Sequence, residues 1–336
     1  MASSRNISLV ILICIFASSS YQATSLISRD HIMSMKHEKW MSQYNRYYES
    51  KEEKVKRFKI FKYNVDYIES FNRVGTHTYQ LGINQFADMT SEEFLAKYTG
   101  NSMPSFQSSP VAPFKYENVK DVPPSLDWRE KNAVTPVQSQ GPCGSCWAFS
   151  AVAAIEGIVQ IKSGVLTSLS EQQIIDCDGA FDGCQGGRME KAFEFVERNG
   201  GLASDTDYPY QTMEGVCSTN TPSSLAASIT GIGGVPQNNE TAMLMAVANQ
   251  PISVGIDPSL FQFYRSGVLT GECGTNRTHA ITAVGYGTSE DGIKFWLFKN
   301  SWGPWWGEDG YIRIQRDVDV VEGMCGLAMD LTYPIA

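Results

Sequence analysis

The chain has 336 residues, with 27 Lys plus Arg against 36 Asp plus Glu, for a formal net charge of −9. That length exceeds one small domain and predicts two or three compact units. The acid excess is uneven: from Val122 onward 12 basic residues face 24 acidic ones, while residues 24–121 hold 14 basic and 12 acidic, which argues against nucleic acid or an anionic membrane as a partner.

Arg5, the apolar residues 7–16 and the small residues Ala17, Ser18, Ser19, Ser20 and Ala23 read as a secretory signal over 1–23. The apolar run is half of the roughly 20 residues that a membrane span needs, and no later stretch is longer. Entry into an oxidising route predicts disulfides among the eight cysteines. Cys14 leaves with the signal. If Cys146 stays free, Cys143, Cys177, Cys184, Cys217, Cys273 and Cys325 remain. Six cysteines permit 15 pairings, and their spacing does not choose among them.

Residues 30–100 are charged, aromatic and free of cysteine. There Val55, Phe58, Phe61, Val65 and Ile68 recur at helical steps, and the alternation over residues 81–88 predicts a strand that ends in a turn. Residues 101–121 are polar and rich in Pro and Ser, a linker composition. The texture then becomes rich in Gly, Trp and Cys, so a boundary is placed near Asp121 and Val122. Helices are expected from Ser145 or Cys146 to about Lys162, from Ser170 onward, and over 189–198. Short β-rich runs follow at 252–256, 279–286, 294–299 and 311–315. A helical half thus precedes a β-rich half, and a cleft between such halves is a usual place for a site.

The chemistry concentrates in Gln140-Gly-Pro-Cys143-Gly-Ser-Cys146-Trp-Ala-Phe149. A thiol at a helix N-terminus is drawn toward the thiolate, and the Gln140 amide is placed to donate to an oxyanion formed on it. A cysteine nucleophile needs a base. His279 is the single histidine after Val122. Asn300, in Lys299-Asn-Ser-Trp-Gly303, offers an oxygen to orient that ring, and Trp302 a cover for the bond. The duller readings are a core histidine, a turn asparagine and a core tryptophan. Cys143-Gly-Ser-Cys146 also fits a redox pair or half a zinc site, but no strand leads into it and no second Cys/His pair stands close. No metal or cofactor is expected.

Together these motifs resemble the papain family of cysteine proteases, in full-length precursor form. The Cys-Gly-Ser-Cys-Trp signature with distant His and Asn is the family's known pattern. In the first segment Glu53, Arg57, Phe61, Asn64, Ile68 and Asn72 are similar to the pro-segment helix motif of the cathepsin L-like branch, and Gly82, Asn84, Phe86 and Asp88 to the motif that follows it. Val122-Pro-Pro-Ser-Leu-Asp-Trp128, Thr278-His-Ala280 and Val284-Gly-Tyr-Gly287 add to the match. The resemblance implies an α+β, papain-like two-domain fold: a helical left domain (about 131–232), a β-barrel-like right domain (about 233–330) and an active-site cleft between them. A helical inhibitory pro-segment (24–121) would precede the mature peptidase (122–336).

By the same resemblance Cys146 is the nucleophile, His279 its partner, Asn300 the orienter, and Gln140 with the Cys146 N–H the oxyanion hole. The implied bridges are Cys143–Cys184, Cys177–Cys217 and Cys273–Cys325. Gly186 and Gly187 would hold an extended substrate by main-chain bonds, and the S2 pocket would draw on Met189, Gly255, Arg277, Ala280 and Asp330. Gly255 and Arg277 depart from the apolar side chains usual there, and Thr278 replaces the usual Asp before the histidine. Asn239 and Asn276 head glycosylation sequons. The implied partners are protein and peptide substrates, the chain's own pro-segment and cystatin-type inhibitors, for a monomeric, acid-active enzyme, extracellular or in a vacuole or lysosome. An inactive binding relative and a transpeptidase are the competing classes.

Overall fold

The computed structural model describes residues 29–100, 112–179, 183–218 and 225–336. The signal expected over 1–23 and residues 101–111 of the linker lie outside them. Two compact units emerge: one takes the chain up to Tyr67 together with Ala87–Met89, the other Ile68–Phe86 with Thr90–Ala336.

The smaller unit rests on helix α1 (29–43) and the first turns of α2 (Lys51–Val74), which starts on Glu52 and Glu53 and ends on Arg73, as the helix dipole favours. His37 is 1% exposed and ringed by Trp40, Tyr48, Phe58 and Phe61, at centroid distances from 4.9 to 6.1 Å. Polar residues of α2 hold residues 87–89. Asn64 Nδ2 donates to Ala87 O at 2.8 Å and Met89 O at 2.9 Å. Arg57 bonds Glu53 Oε1 and Asp88 O, and the Tyr48 hydroxyl donates to Asp88.

In the larger unit, β1 (Tyr79–Leu81) pairs antiparallel with β5 (Tyr264–Leu269). The strand expected over 81–88 therefore lies earlier and is shorter. Asn84 bends the chain out of it: its Oδ1 accepts the Phe86 N–H, and its Nδ2 donates to Gln262 O. Helix α3 (Ser91–Tyr98) follows behind a capping box of Thr90 and Glu93.

Helix α4 (Cys146–Ser163) is buried at every position from Cys146 to Ile158 and stops at Gly164, in the left-handed region at φ 78°. It packs with α5 (Glu171–Cys177) and α6 (Met189–Arg198) around Trp147, Ile155, Phe193 and Val196. The sheet runs β1-β5-β8-β7-β6-β4-β9-β3, with β2 (Leu126–Asp127) beside β6. Its other strands are β3 (Gly231–Gly234), β4 (Ile252–Ile256), β6 (His279–Thr288), β7 (Lys294–Lys299), β8 (Tyr311–Gln315) and β9 (Leu331–Ile335). Helix α7 (Glu240–Val247) lies between β3 and β4 in sequence. The expected barrel-like closure is corrected here: the described ladder is an open path, because β1 and β3 end it on opposite sides.

Three hydroxyls fasten α4 to this sheet. Ser150 Oγ donates to Ile281 O at 2.8 Å, and Ser150 O accepts from Ser253 Oγ at 2.9 Å and Thr282 Oγ1 at 3.2 Å. Bridges join Cys143–Cys184, Cys177–Cys217 and Cys273–Cys325, the pairing the resemblance implies. Among the described residues no helix is long and apolar enough to cross a membrane, and no group of three or more His, Cys, Asp or Glu is placed to hold a metal.

Replacing Asn64 by Ala strands two carbonyls and should cost the smaller unit about 1–3 kcal/mol. A lower midpoint of the first thermal transition of the precursor is expected. An unchanged midpoint would contradict the bracing role.

Candidate active site

The loop before α4 is fixed by close contacts that only glycine permits. A Cβ on Gly144 would stand 2.5 Å from Cys184 O, and one on Gly187 would stand 2.5 Å from the Trp147 ring. Cys143 is tied to Cys184, and Cys146 is free and buried. That arrangement removes the redox-pair and zinc readings of the C-x-x-C.

The N-cap residue Ser145 makes no capping bond. Its hydroxyl meets Tyr210 OH instead, so first-turn donors stay turned to the sulfur. Burial nevertheless pushes the Cys146 thiol up to about 11, against N–H groups of Ala280, Gly100, Trp147 and Cys146 itself that favour the thiolate. Burial also takes His279 down to about 4, opposed by its bond to Asn300. At neutral pH both groups are therefore uncharged in the precursor.

His279 opens β6, and its Nε2 lies 2.8 Å from Asn300 Oδ1. The same oxygen accepts the Ser301 N–H at 2.8 Å, which fixes the amide with its oxygen toward the ring. Nε2 therefore holds the proton, and Nδ1, which has no partner among the described residues, is the basic atom. Trp302 stacks on the imidazole at 4.5 Å, and Trp306 meets Trp302 edge-on at 4.9 Å.

Gln140 is wholly buried. Its Oε1 accepts from Ser301 Oγ at 2.6 Å, while its Nε2 donates to Cys143 O at 2.7 Å and reaches Tyr98 O at 3.3 Å. Phe86, Phe94, Tyr98 and Gly100 cover this constellation. Trp302 Nε1 donates to Tyr98 O, Phe86 and Phe94 pack edge-on to Trp302, and the Gly100 N–H donates to Thr278 O. A methyl on Gly100 would lie 3.2 Å from Gly186 Cα, so backbone crosses backbone there.

Met189 and Ala280 pack against Cys146. Gly255 lies opposite Ala280 across β4 and β6 and donates its N–H to Asp330 O. Arg277 Nη1 stands 3.4 Å from Asp330 Oδ2. The structure thus brings the residues expected at S2 together and pairs Arg277 with Asp330. Sequence reasoning missed the ion pair of Arg188 and Glu190 flanking Met189, and Ser301 behind Gln140. Their places beside Met189 and Asn300 were the available signal. Asn239 and Asn276 are both exposed, and Asn239 caps α7 through its Oδ1.

Comparison with known proteins gives a consistent result. Residues 122–335 match the model for "Papain family cysteine protease", and residues 37–94 match "Cathepsin propeptide inhibitor domain (I29)". The chain is 49% identical to the senescence-specific cysteine protease SAG39 of Oryza sativa subsp. japonica, over the whole of both. A recombinant stem bromelain precursor superposes with TM-score 0.83 at 49% identity, over 90% of this chain and 98% of that one. Bromelain from Ananas comosus in complex with the E64 inhibitor gives 0.62 at 52% identity, over 64% and 99%.

At pH 7.5 iodoacetamide should modify Cys146 of the intact precursor about 100-fold more slowly than an exposed thiol, since the thiolate is the reactive form. The rate should climb through the alkaline range and recover at neutral pH once the residues before Val122 are removed. Equal rates in both forms would exclude this effect of burial.

Proposed function

The chain belongs to the papain family of cysteine proteases and is made as a zymogen with a cathepsin-type inhibitory propeptide, and from that premise we propose an acid-active endopeptidase of the secretory route. It works outside the cell or in a vacuole or lysosome, as a monomer open to cystatin-type inhibitors. In this reading 1–23 is the signal, 24–121 the pro-segment and 122–336 the mature enzyme, with a helical half over about 131–232 and a β-rich half over about 233–330. The observation that supports it most is a free, buried Cys146 packed against Ala280, the residue after a His279 whose Nε2 is committed to Asn300 and whose Nδ1 has no partner among the described residues.

With the covering residues gone, Cys146 transfers its proton to His279 Nδ1 and the sulfur attacks the substrate carbonyl carbon. The oxyanion accepts from Gln140 Nε2 and the Cys146 N–H. The C–N bond breaks as the imidazolium protonates the leaving amine. Water then attacks the thioester, His279 takes its proton, and the thiolate leaves. Asn300 keeps the ring aligned, and Trp302 shields that bond. Gly186 and Gly187 bind the extended chain, and Met189, Gly255, Arg277, Ala280 and Asp330 surround its P2 side chain. The three bridges hold this frame, and Asn239 and Asn276 accept glycans.

His37 gives the acid response a lever. Burial lowers its pKa below the ordinary 6.5, with Glu38 and Asp88 opposing and Lys54 assisting. Its folded pKa is depressed, so below pH 6.5 the unfolded chain takes up a proton that the folded unit resists. Stability contributed by this residue is therefore present above pH 6.5 and is lost as pH falls toward the lowered value.

Cys146→Ala should abolish peptide hydrolysis while leaving the far-UV spectrum intact; residual turnover would remove the mechanism. Moving the purified precursor from about pH 7 to pH 4 should yield a product beginning near Val122, and His37→Leu should shift that conversion to lower pH. An identical pH profile in the variant would clear His37 of the role.

A further inference from the structure

Arg188, Glu190, Arg277 and Asp330 gather one side chain away from the thiol. Arg188 and Glu190 flank Met189, which packs on Cys146. Arg277 precedes His279 by two residues, and the Asp330 carbonyl holds Gly255 opposite Ala280. The side chains of Glu190, Asp330 and Arg277 are 2%, 3% and 9% exposed. Burying ions costs several kcal/mol apiece, and apolar residues of like volume serve stability equally well. The polar bonding is also incomplete. Among the described residues Glu190 Oε2, Arg277 Nε and Asp330 Oδ1 have no partner, and such atoms in a native structure call for an explanation.

We propose that these four residues form a pH-gated selector for the substrate side chain held beside the thiol, favouring uncharged side chains at neutral pH and acidic ones near pH 5, with Arg277 gripping the acidic group. The inference rests on reading this pocket as the one that receives P2.

Two guanidinium groups and two carboxylates cancel, so the fully ionised quartet is closed and neutral. Asp330 is the member that yields. Burial, then the facing Glu190 from α6, push its carboxyl up to about 6, while Arg277, on the approach to β6, and Arg188, before α6, resist. Below that value Asp330 takes a proton from solvent, its hold on Arg277 drops to a neutral hydrogen bond, and the quartet becomes net positive. A substrate glutamate, with an ordinary pKa of about 4.3, is still ionised at pH 5 and finds the Arg277 guanidinium available. Above it two carboxylates repel such a group.

The test compares two peptide substrates that differ only in Glu or Gln at P2, with processed enzyme whose active thiol is titrated by an E-64-type epoxide. In wild type the Glu/Gln ratio of kcat/KM should rise about 10-fold from pH 7.5 to pH 5. Asp330→Asn should hold the ratio high at both values, and Arg277→Gln should hold it low at both. A flat wild-type ratio overturns the inference whatever the variants do, as does an Asp330→Asn profile that follows wild type. If titrated wild type cleaves neither peptide at any pH, the protease reading fails and the inference goes with it.

Discussion

The hydroxyl knot at Ser150 governs how the helix that carries Cys146 sits against the strand that carries His279. The thiol rides on the first residue of α4 and the imidazole on the first residue of β6. These elements meet across a buried interface that can slide unless something pins it. Ser150 pins it twice, giving a proton to Ile281 O and accepting at its own carbonyl from Ser253 and Thr282. Each bond contributes about 1 kcal/mol net, but losing one partner leaves a buried group unsatisfied at higher cost. The small residues Ala148, Ala151 and Ala154 let the helix lie close to its surroundings. Chemistry that depends on tenths of an ångström is thus fixed by residues that never touch substrate.

Two opposing effects act on the sulfur. A helix N-terminus and four N–H groups favour the thiolate, and burial disfavours it. Burial wins in the precursor, lifting the thiol from 9.0 to about 11, a difference of about 3 kcal/mol between the protonation states. Gly100 takes part on both sides, since it donates toward the sulfur while helping to bury it. Residues that bury a thiol in this way do more than cover it, because they also favour its protonated, less reactive form.

Much of this was legible in the sequence. The helix from Cys146 was readable because Gly164 ends it and an apolar run fills it, and the strands at 252–256, 294–299 and 311–315 because β-branched and aromatic residues cluster there. The bond between His279 and Asn300 and the unbridged Cys146 were readable because chemistry narrows the choices, His279 above all by being alone after Val122. Strand β3, which is Gly-Ile-Gly-Gly, and β9, which contains Pro334, were not, since glycine and proline disfavour strands and partners distant in sequence impose the conformation. The strand over 81–88 was misplaced because its alternation is real, yet Asn84 spends its side chain on a turn. Arg188 and Glu190 stayed hidden because charged residues at a helix start usually face water, and only tertiary packing turns these inward.

Gly100, Gly144 and Gly186 make a crossing built from main chain alone. Nothing in that contact reads the side chains of Met189, Arg277 or Asp330, which we propose surround the substrate. Substrate preference can therefore drift through changes in the pocket walls while this part of self-inhibition persists unchanged. A lineage of such precursors is free to diversify its diet without redesigning this part of its safety catch.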